Sequence, residues 1–195
     1  MPLPDLSLSR HCDRIESGDV LLFRPGRSLL ARLVSAAGRG GYSHAGVAAW
    51  WGCDLFCLEV REWYGGRAVL LAHEIDRRPG LIDVYRYRPS PPAKRNCRMI
   101  AGVLNRMRRL AGTRYGYWSV LRAALYHVPI VRMTMKPLTD DRMENGLPPY
   151  CSQAVAYAYR VGGGVDLVPN AADCITEPAD LARSAALEYQ FTLRP

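Results

Sequence analysis

The sequence predicts an α+β domain in which a central antiparallel sheet carries a helix from the second half of the chain packed on it. The chain has 195 residues, 49% of them hydrophobic and 23% charged, which suits one domain with a sizeable core. Short apolar runs bounded by turn residues fill the first half. Helical periodicity and helix caps fill the second half. We therefore expect residues 1–195 to form a single domain.

The predicted strands precede residue 88. Val20–Phe23 is an apolar run that follows the turn sequence Ser17–Gly18–Asp19. The later strands are separated by turn residues at hairpin distances, which predicts an antiparallel meander. These later strands are Ser43–Trp50, Leu55–Arg61, Ala68–Leu71 and Leu81–Tyr87.

Helical patterns flank and follow these strands. Arg95–Ala111 is amphipathic, with apolar residues on one face and arginines opposite, and Cys151–Val161 ends at three consecutive glycines. Lys136–Pro149 is polar and contains proline, which predicts a loop. Further helices are predicted at Ser28–Ala36, Tyr115–Tyr126 and a short one around Thr176–Leu181.

The net charge is +8, and it is concentrated in the middle of the chain. No acidic residue occurs between Val84 and Thr139, where twelve lysines and arginines lie. This pattern favours an anionic partner such as a membrane surface, although it also fits a solvated cationic face. A nucleic-acid partner is not expected, because the Arg95–Ala111 helix lacks interleaved base-stacking aromatics.

The six cysteines form no C-x-x-C pair, so neither a zinc site nor a disulfide scaffold is expected. The histidines are scattered, and we predict no metal and no cofactor. Most of the thiols are expected to be buried and inert. The sequence shows no signal peptide and no apolar run of spanning length, so a cytoplasmic location is the expectation.

Cys151 is the exception among these thiols. It begins a predicted helix, where unpaired backbone N–H groups and the helix dipole favour a thiolate. His44 near the start of a strand can act as a base, and Glu59 on the next predicted strand can fix the imidazole tautomer. Each residue alone is as easily structural, but together they describe a nucleophile, a base and an orienting carboxylate.

Five segments, taken in order, resemble the circularly permuted papain-like fold of NlpC-type peptidases, in particular the YiiX-like amidases. One departure is Gln153, where many members of that family carry Glu. The segments are Gly18–Phe23, Ser43–Val47, Leu58–Val60, Tyr150–Val155 and Glu177–Leu181.

The resemblance implies a thiol hydrolase with Cys151 as nucleophile, His44 as base and Glu59 as the third polar residue. It also implies Tyr42 or Tyr150 as a wall of the substrate site. The implied substrates are amide or ester bonds in cell-wall peptides or in lipid and N-acyl conjugates. Two alternatives remain open: an acyltransferase of the lecithin retinol acyltransferase type, and a non-catalytic module that binds anionic lipid or nucleic acid.

Overall fold

The computed structural model describes residues 12–25, 41–77, 81–88, 97–126 and 148–194, except for the side chains of 122 and 124–126. The predicted helix Ser28–Ala36 and most of the predicted loop Lys136–Pro149 lie outside the described residues. The remaining elements form an α+β structure built on one six-stranded antiparallel sheet.

The sheet has the strand order β4-β3-β2-β1-β5-β6, and every neighbouring pair is antiparallel. The first four strands form the predicted meander, and their bounds differ from the predicted ones by no more than three residues. The strands are β1 (Val20–Phe23), β2 (His44–Trp51), β3 (Asp54–Arg61), β4 (Gly65–Leu70), β5 (Ile82–Tyr87) and β6 (Leu187–Leu193).

The meander prediction is wrong for β5, which pairs with β1 instead of β4. A short helix, α1 (Leu71–Arg77), follows β4 directly, and its Leu71 and Ile75 are buried against one face of the sheet. The chain therefore passes along that face before it re-enters the sheet beyond β1. The sequence analysis also missed β6, which pairs along the whole of β5 and forms the far edge.

The helices of the second half cover the other face of the sheet. Helix α2 packs there through Ile100, Val103 and Met107, which confirms the predicted apolar face of this amphipathic helix. The helices are α2 (Cys97–Arg109), α3 (Tyr117–Tyr126), α4 (Cys151–Tyr157) and α5 (Pro178–Ala182). None of these described helices has the length and apolarity that a membrane span requires.

Helix α4 differs from its prediction in one respect. It is α-helical only as far as Tyr157 and continues as a π-helical turn over Ala158–Gly162. This turn crosses α2 at very close range, because a Cβ added at Gly102 would lie 1.9 Å from the carbonyl oxygen of Gly162. The close crossing holds α4 against α2 and thus fixes where α4 begins.

Two of the segments that resemble the YiiX-like amidases have structural roles here. Asp19 is fully buried at the start of β1 and accepts hydrogen bonds from the guanidinium of Arg86 at 2.9 and 2.7 Å. Glu177 and Asp180 form a reciprocal capping box at the start of α5. These carboxylates therefore stabilise the ends of elements that frame the sheet.

Candidate active site

Cys151 is the first residue of α4 and is buried. Extended backbone at Tyr150 precedes it, so the helix starts abruptly at the cysteine. The sulfur accepts hydrogen bonds from the backbone N–H groups of Ala45 and Ser152. Such donors stabilise negative charge on the sulfur, because N–H groups at a helix start have no partner within the helix.

His44 is the first residue of β2, and its imidazole is hydrogen-bonded to the thiol of Cys151. The two residues meet because each one begins its element at the same end of the sheet. Side chains along β2 alternate between the two faces of the sheet: Ala45 and Val47 face α4, whereas Gly46 and Ala48 lie on the opposite face, to which His44 also belongs. A histidine further along β2 on the face of Gly46 and Ala48 would be separated from the sulfur of Cys151 by the sheet itself.

The carboxylate of Glu59 on β3 is hydrogen-bonded to the other ring nitrogen of His44, with its Oε2 atom 2.6 Å from Nε2. Nδ1 is therefore the ring nitrogen that faces the sulfur. Gly46 lies directly opposite Glu59 in the sheet, and a Cβ there would come within 2.5 Å of the sulfur of Cys57. Glycine at position 46 thus lets β2 and β3 pair closely beside Glu59.

The three groups shift one another's pKa values towards the charged forms. Burial alone would lower the pKa of His44, but the charges of Glu59 and Cys151 outweigh it and raise that pKa to about 9. Burial likewise opposes ionisation of Cys151, yet the imidazolium and the two backbone N–H donors lower the pKa of this thiol below its ordinary value. The geometry therefore supports a thiolate–imidazolium pair.

Glu59 also belongs to a buried network of charges that the sequence analysis missed. Arg61 donates to Glu59 at 3.0 Å and to Glu74 of α1 at 2.6 Å. Arg67 donates to Glu59 through Nε and Nη2 at 2.8 and 2.6 Å and to Glu74 at 2.8 Å. Burial alone would raise the pKa of Glu59, but His44 and the two arginines hold it at about 2.

Two members of this network carried a signal in the sequence. Arg61 follows Glu59 by two residues on one strand, so both side chains lie on the same face. Arg67 lies directly opposite Glu59 in the β3–β4 hairpin, where opposite charges stabilise each other. Glu74 carried no such signal, because only the position of α1 against the sheet brings it there.

The structure places the two predicted wall residues differently. Tyr150 is buried beside Cys151, and its hydroxyl donates to the carbonyl oxygen of Thr176 at 3.1 Å. Tyr42 instead donates to Asp83 on β5 at 2.6 Å and lies 3.0 Å from the hydroxyl of Tyr85. The hydroxyl of Tyr42 therefore contacts β5, the strand beyond β1.

A further wall was not predicted. Tyr115, two residues before α3, and Val120 and Ala123 of α3 pack around Cys151 and Tyr150. Burial, followed by the nearby charge of Cys151, raises the pKa of Tyr115, so its phenol stays protonated. Helix α3 therefore forms an apolar and aromatic side of the site.

Gln153 is the position at which the sequence departs from the family it resembles. Gln153 is buried, and its Oε1 atom has no hydrogen-bond partner among the described residues.

The expectation that most thiols are buried is wrong: among the six, Cys53 and Cys97 are exposed, and Cys12 and Cys174 are partly exposed. Cys53 lies in the tight turn between β2 and β3, where a side chain points to solvent.

The described residues contain no group of three or more histidine, cysteine, aspartate or glutamate side chains placed to hold a metal ion. The carboxylate of Glu59, the nearest oxygen donor to the Cys151–His44 pair, is already occupied by two guanidinium groups and the imidazole. A cation there would have to displace both arginines. The site therefore fits proton transfer and nucleophilic chemistry better than metal binding.

Comparisons with known proteins bear on the fold. No family model matches the chain, and no curated protein matches it. The chain is similar to the crystal structure of the metalloprotein YiiX from Escherichia coli O157:H7, with a TM-score of 0.62 over 92% of this chain and 98% of that one. This chain has a YiiX-like fold.

The YiiX-like fold agrees with part of the resemblance predicted from the sequence. At 15% identity the similarity extends to the architecture and not to the chemistry of the site. The α+β class and the central antiparallel sheet are confirmed. The catalytic roles of Cys151, His44 and Glu59 remain predictions, now made on side chains that contact one another.

Proposed function

We propose that this protein is a cysteine-dependent hydrolase that cleaves amide or ester bonds through an acyl-thioester intermediate. The observation that carries the proposal is the hydrogen-bonded chain from the sulfur of Cys151 through the imidazole of His44 to the carboxylate of Glu59. A nucleophile, a base in contact with it and a third group that orients the base are the parts that covalent acyl transfer needs.

In the proposed reaction, the thiolate of Cys151 attacks the carbonyl carbon of the substrate and forms a tetrahedral intermediate. The N–H of Ser152 donates to the thiolate before the attack and is released for the developing oxyanion once the sulfur has lost its charge in the new S–C bond. The imidazolium of His44 then donates its Nδ1 proton to the leaving amine or alkoxide, and the carbon–nitrogen or carbon–oxygen bond breaks. His44 next removes a proton from water, which attacks the thioester and releases the acid.

Glu59 contributes by holding the imidazole and not by accepting a proton. With its pKa at about 2, the carboxylate stays charged at neutral pH and stabilises the imidazolium. Arg61 and Arg67 fix the carboxylate from two sides, so the imidazole is held in one orientation. These arginines are positioning residues in this proposal.

The finer assignment of the fold belongs to the same proposal. We infer a single circularly permuted papain-like domain, because the strand with His44 precedes the helix with Cys151 in the chain. The proposed substrates are cell-wall peptides and lipid or N-acyl conjugates. The apolar wall of Tyr115, Val120 and Ala123 favours a substrate whose acyl group is hydrophobic.

The test is to trap the acyl-enzyme. Each of three proteins is incubated with a panel of p-nitrophenyl acyl esters and N-acyl amides: the wild type, Cys151→Ala and His44→Ala. The mass of the intact protein is then measured by mass spectrometry. We expect an acyl adduct on Cys151 in the wild type, no adduct in Cys151→Ala, and acylation slowed by roughly 10²–10⁴-fold in His44→Ala. Acylation that proceeds equally in wild type and His44→Ala would exclude the proposed base.

The acyltransferase alternative forms the same acyl-enzyme, and it differs from the hydrolase in the molecule that takes the acyl group: an amine or alcohol instead of water. Hydroxylamine or a primary alcohol is added to the trapped acyl-enzyme, and the products are quantified. Release mainly as free acid supports the hydrolase. Release mainly as the hydroxamate or ester at modest acceptor concentration would favour the transferase, since water is then excluded from the intermediate.

A further inference from the structure

An aromatic surface lies on the outer side of the wall that encloses Cys151. Six large hydrophobic residues are exposed in the part of the chain that the structure describes. Five of them belong to this surface, and the sixth, Tyr189, lies on β6. Trp63 and Trp118 are the most exposed, at 86% and 80%. The aromatic surface consists of Trp63, Tyr64, Tyr117, Trp118 and Leu121.

The two halves of the aromatic surface are locked together by the fold. The backbone N–H of Trp63, in the turn between β3 and β4, donates to the hydroxyl of Tyr117 at 3.0 Å, and the two rings lie 5.9 Å apart. Beneath them, the N–H of Gly66 donates to the carbonyl oxygen of Thr113 at 2.8 Å. A Cβ at Gly66 would lie 1.7 Å from the carbonyl oxygen of Leu110, so this contact requires glycine.

Helix α3 is apolar on both of its sides. Ala123 and Val120 face Cys151, whereas Tyr117, Trp118 and Leu121 share the outward face at helical spacing. The helix contains no acidic residue, and apart from its tyrosines its polar residues are Ser119 and Arg122. The hydroxyl of Ser119 donates to the carbonyl oxygen of Pro148 at 3.0 Å. Three large hydrophobic side chains exposed together on one helix face indicate an apolar partner on its outer side.

The backbone of Trp63 gives an independent sign of function. Its φ is 68°, and it is the non-glycine residue with positive φ among the described residues. A bulky side chain in this left-handed region is strained. The turn that adopts it leaves the indole 86% exposed, although the ring also contacts that of Tyr117.

We propose that the aromatic surface docks on an anionic phospholipid bilayer. Tryptophan and tyrosine prefer the boundary between headgroups and acyl chains, and Leu121 adds an aliphatic contact that suits lipid better than a sugar ring. The exposed Arg109 and Arg114 flank Leu110 and Thr113, on which the hairpin glycines pack, and they complement anionic headgroups. Glu62 is the acidic neighbour of Trp63, and these cations outnumber it.

The depth of the site agrees with this orientation. Cys151 lies on the inner side of α3, so the sulfur is about one helix diameter, roughly 10 Å, below the docked face. An acyl chain or lipid-linked bond reaching past α3 would arrive at the thiolate. This delivery of a lipid substrate rests on the proposed function, whereas the docking does not.

The experiment measures binding to vesicles of phosphatidylcholine and phosphatidylglycerol in equal parts, with phosphatidylcholine vesicles and purified peptidoglycan as comparisons. Two of the four tryptophans lie in the aromatic surface, so a blue shift of intrinsic fluorescence reports docking directly. The variant is Trp63→Asn with Trp118→Ser, because asparagine tolerates the left-handed backbone. The matched control is Tyr189→Ser, an exposed aromatic on β6.

We expect the wild type to sediment with the anionic vesicles and to shift its fluorescence. The double variant should bind at least about tenfold more weakly, since two aromatic side chains lose their burial in the membrane interface. Tyr189→Ser and Cys151→Ala should bind as the wild type does. Docking by a Cys151→Ala protein separates this proposal from the proposed reaction.

Three results would overturn the proposal. They are a lack of binding to anionic vesicles, binding that the double variant retains in full, and tryptophan-dependent binding to peptidoglycan without binding to vesicles. Circular dichroism and the alkylation rate of Cys151 in the double variant establish that it is folded, so a loss of binding is not mistaken for unfolding.

Discussion

The Nε2 atom of His44 lies 2.6 Å from the Oε2 atom of Glu59, and the same oxygen is 3.0 Å from a guanidinium nitrogen of Arg61. One buried carboxylate thus joins the imidazole to the charge network between the sheet and α1. The carboxylate holds the imidazole protonated, and the arginines hold the carboxylate ionised.

Glu59→Gln should lower the pKa of His44 and destabilise the protein together. The imidazole loses its main negative neighbour, and two arginines are left facing a neutral amide in a buried site. Breaking a buried ion pair costs about 3–5 kcal/mol in the free energy of unfolding, which urea denaturation measures. Glu188→Gln is the control, because its exposed pair with Arg88 should contribute less than about 1 kcal/mol. Equal losses in both variants would contradict the network.

Alkylation of Cys151 should be rapid below pH 7 in the wild type and slow in His44→Ala. The imidazolium lowers the pKa of the thiol, so the thiolate forms below the ordinary thiol pKa, and the ion pair persists until His44 itself deprotonates near pH 9. Without the imidazole, burial raises the thiol pKa and labelling appears only at alkaline pH. Peptide mass spectrometry after iodoacetamide treatment reads each site separately. The exposed Cys53 is the internal control, and its labelling should be the same in both proteins.

The protein should lose stability in acid as Glu59 becomes protonated. Its pKa is lowered from 4.5 to about 2, so its contribution is fully present above pH 4.5 and is lost as the pH falls through 2. Arg67→Gln removes two donors to Glu59 and raises its folded-state pKa, so the acid-induced loss should be smaller and should be complete at a higher pH. Urea denaturation at a series of pH values measures both the size of the loss and the pH at which it ends. Arg88→Gln, which alters an exposed pair, should leave both unchanged.

Gly46→Ala should destabilise the sheet beside the site. The added methyl would lie 2.5 Å from the sulfur of Cys57 and 3.1 Å from the carbonyl oxygen of Leu58, so the strands must shift. Overpacking of this kind costs about 1–3 kcal/mol, which thermal denaturation detects. Gly41→Ala has open space at the corresponding atom and serves as the control. A variant at Gly46 as stable as the control would show that β2 and β3 separate easily.

Trp63→Asn should raise the stability of the protein. A left-handed backbone costs roughly 1–2 kcal/mol for most residues, and asparagine adopts it more readily than tryptophan. The indole is exposed, so its removal forfeits little packing. We expect an increase of about 1 kcal/mol in the free energy of unfolding. A decrease would mean that the ring stabilises the turn through Tyr117 and would remove the argument from strain.

The sequence by itself predicted strands β1 to β5 and pointed to three residues that the structure brings into contact. Val20–Phe23 has the predicted bounds, and the predicted β2 is shifted by only one residue, because short apolar runs between turns are local signals. Cys151 was predicted from the start of a helix and Glu59 from a carboxylate in an apolar strand. Such positions are costly without a partner, so a single sequence reveals them.

Only the tertiary structure decided where β5 and β6 join the sheet and what surrounds the sulfur. The pairing of β5 with β1 depends on α1 lying along one face, and the contact of Glu74 with Arg61 follows from the same packing. The family resemblance implied Tyr42 as a wall of the site, and in the structure its hydroxyl donates to Asp83 on β5. Periodicity and capping depend on neighbouring residues, whereas strand order and the meeting of Cys151 with His44 depend on contacts between residues far apart in the chain.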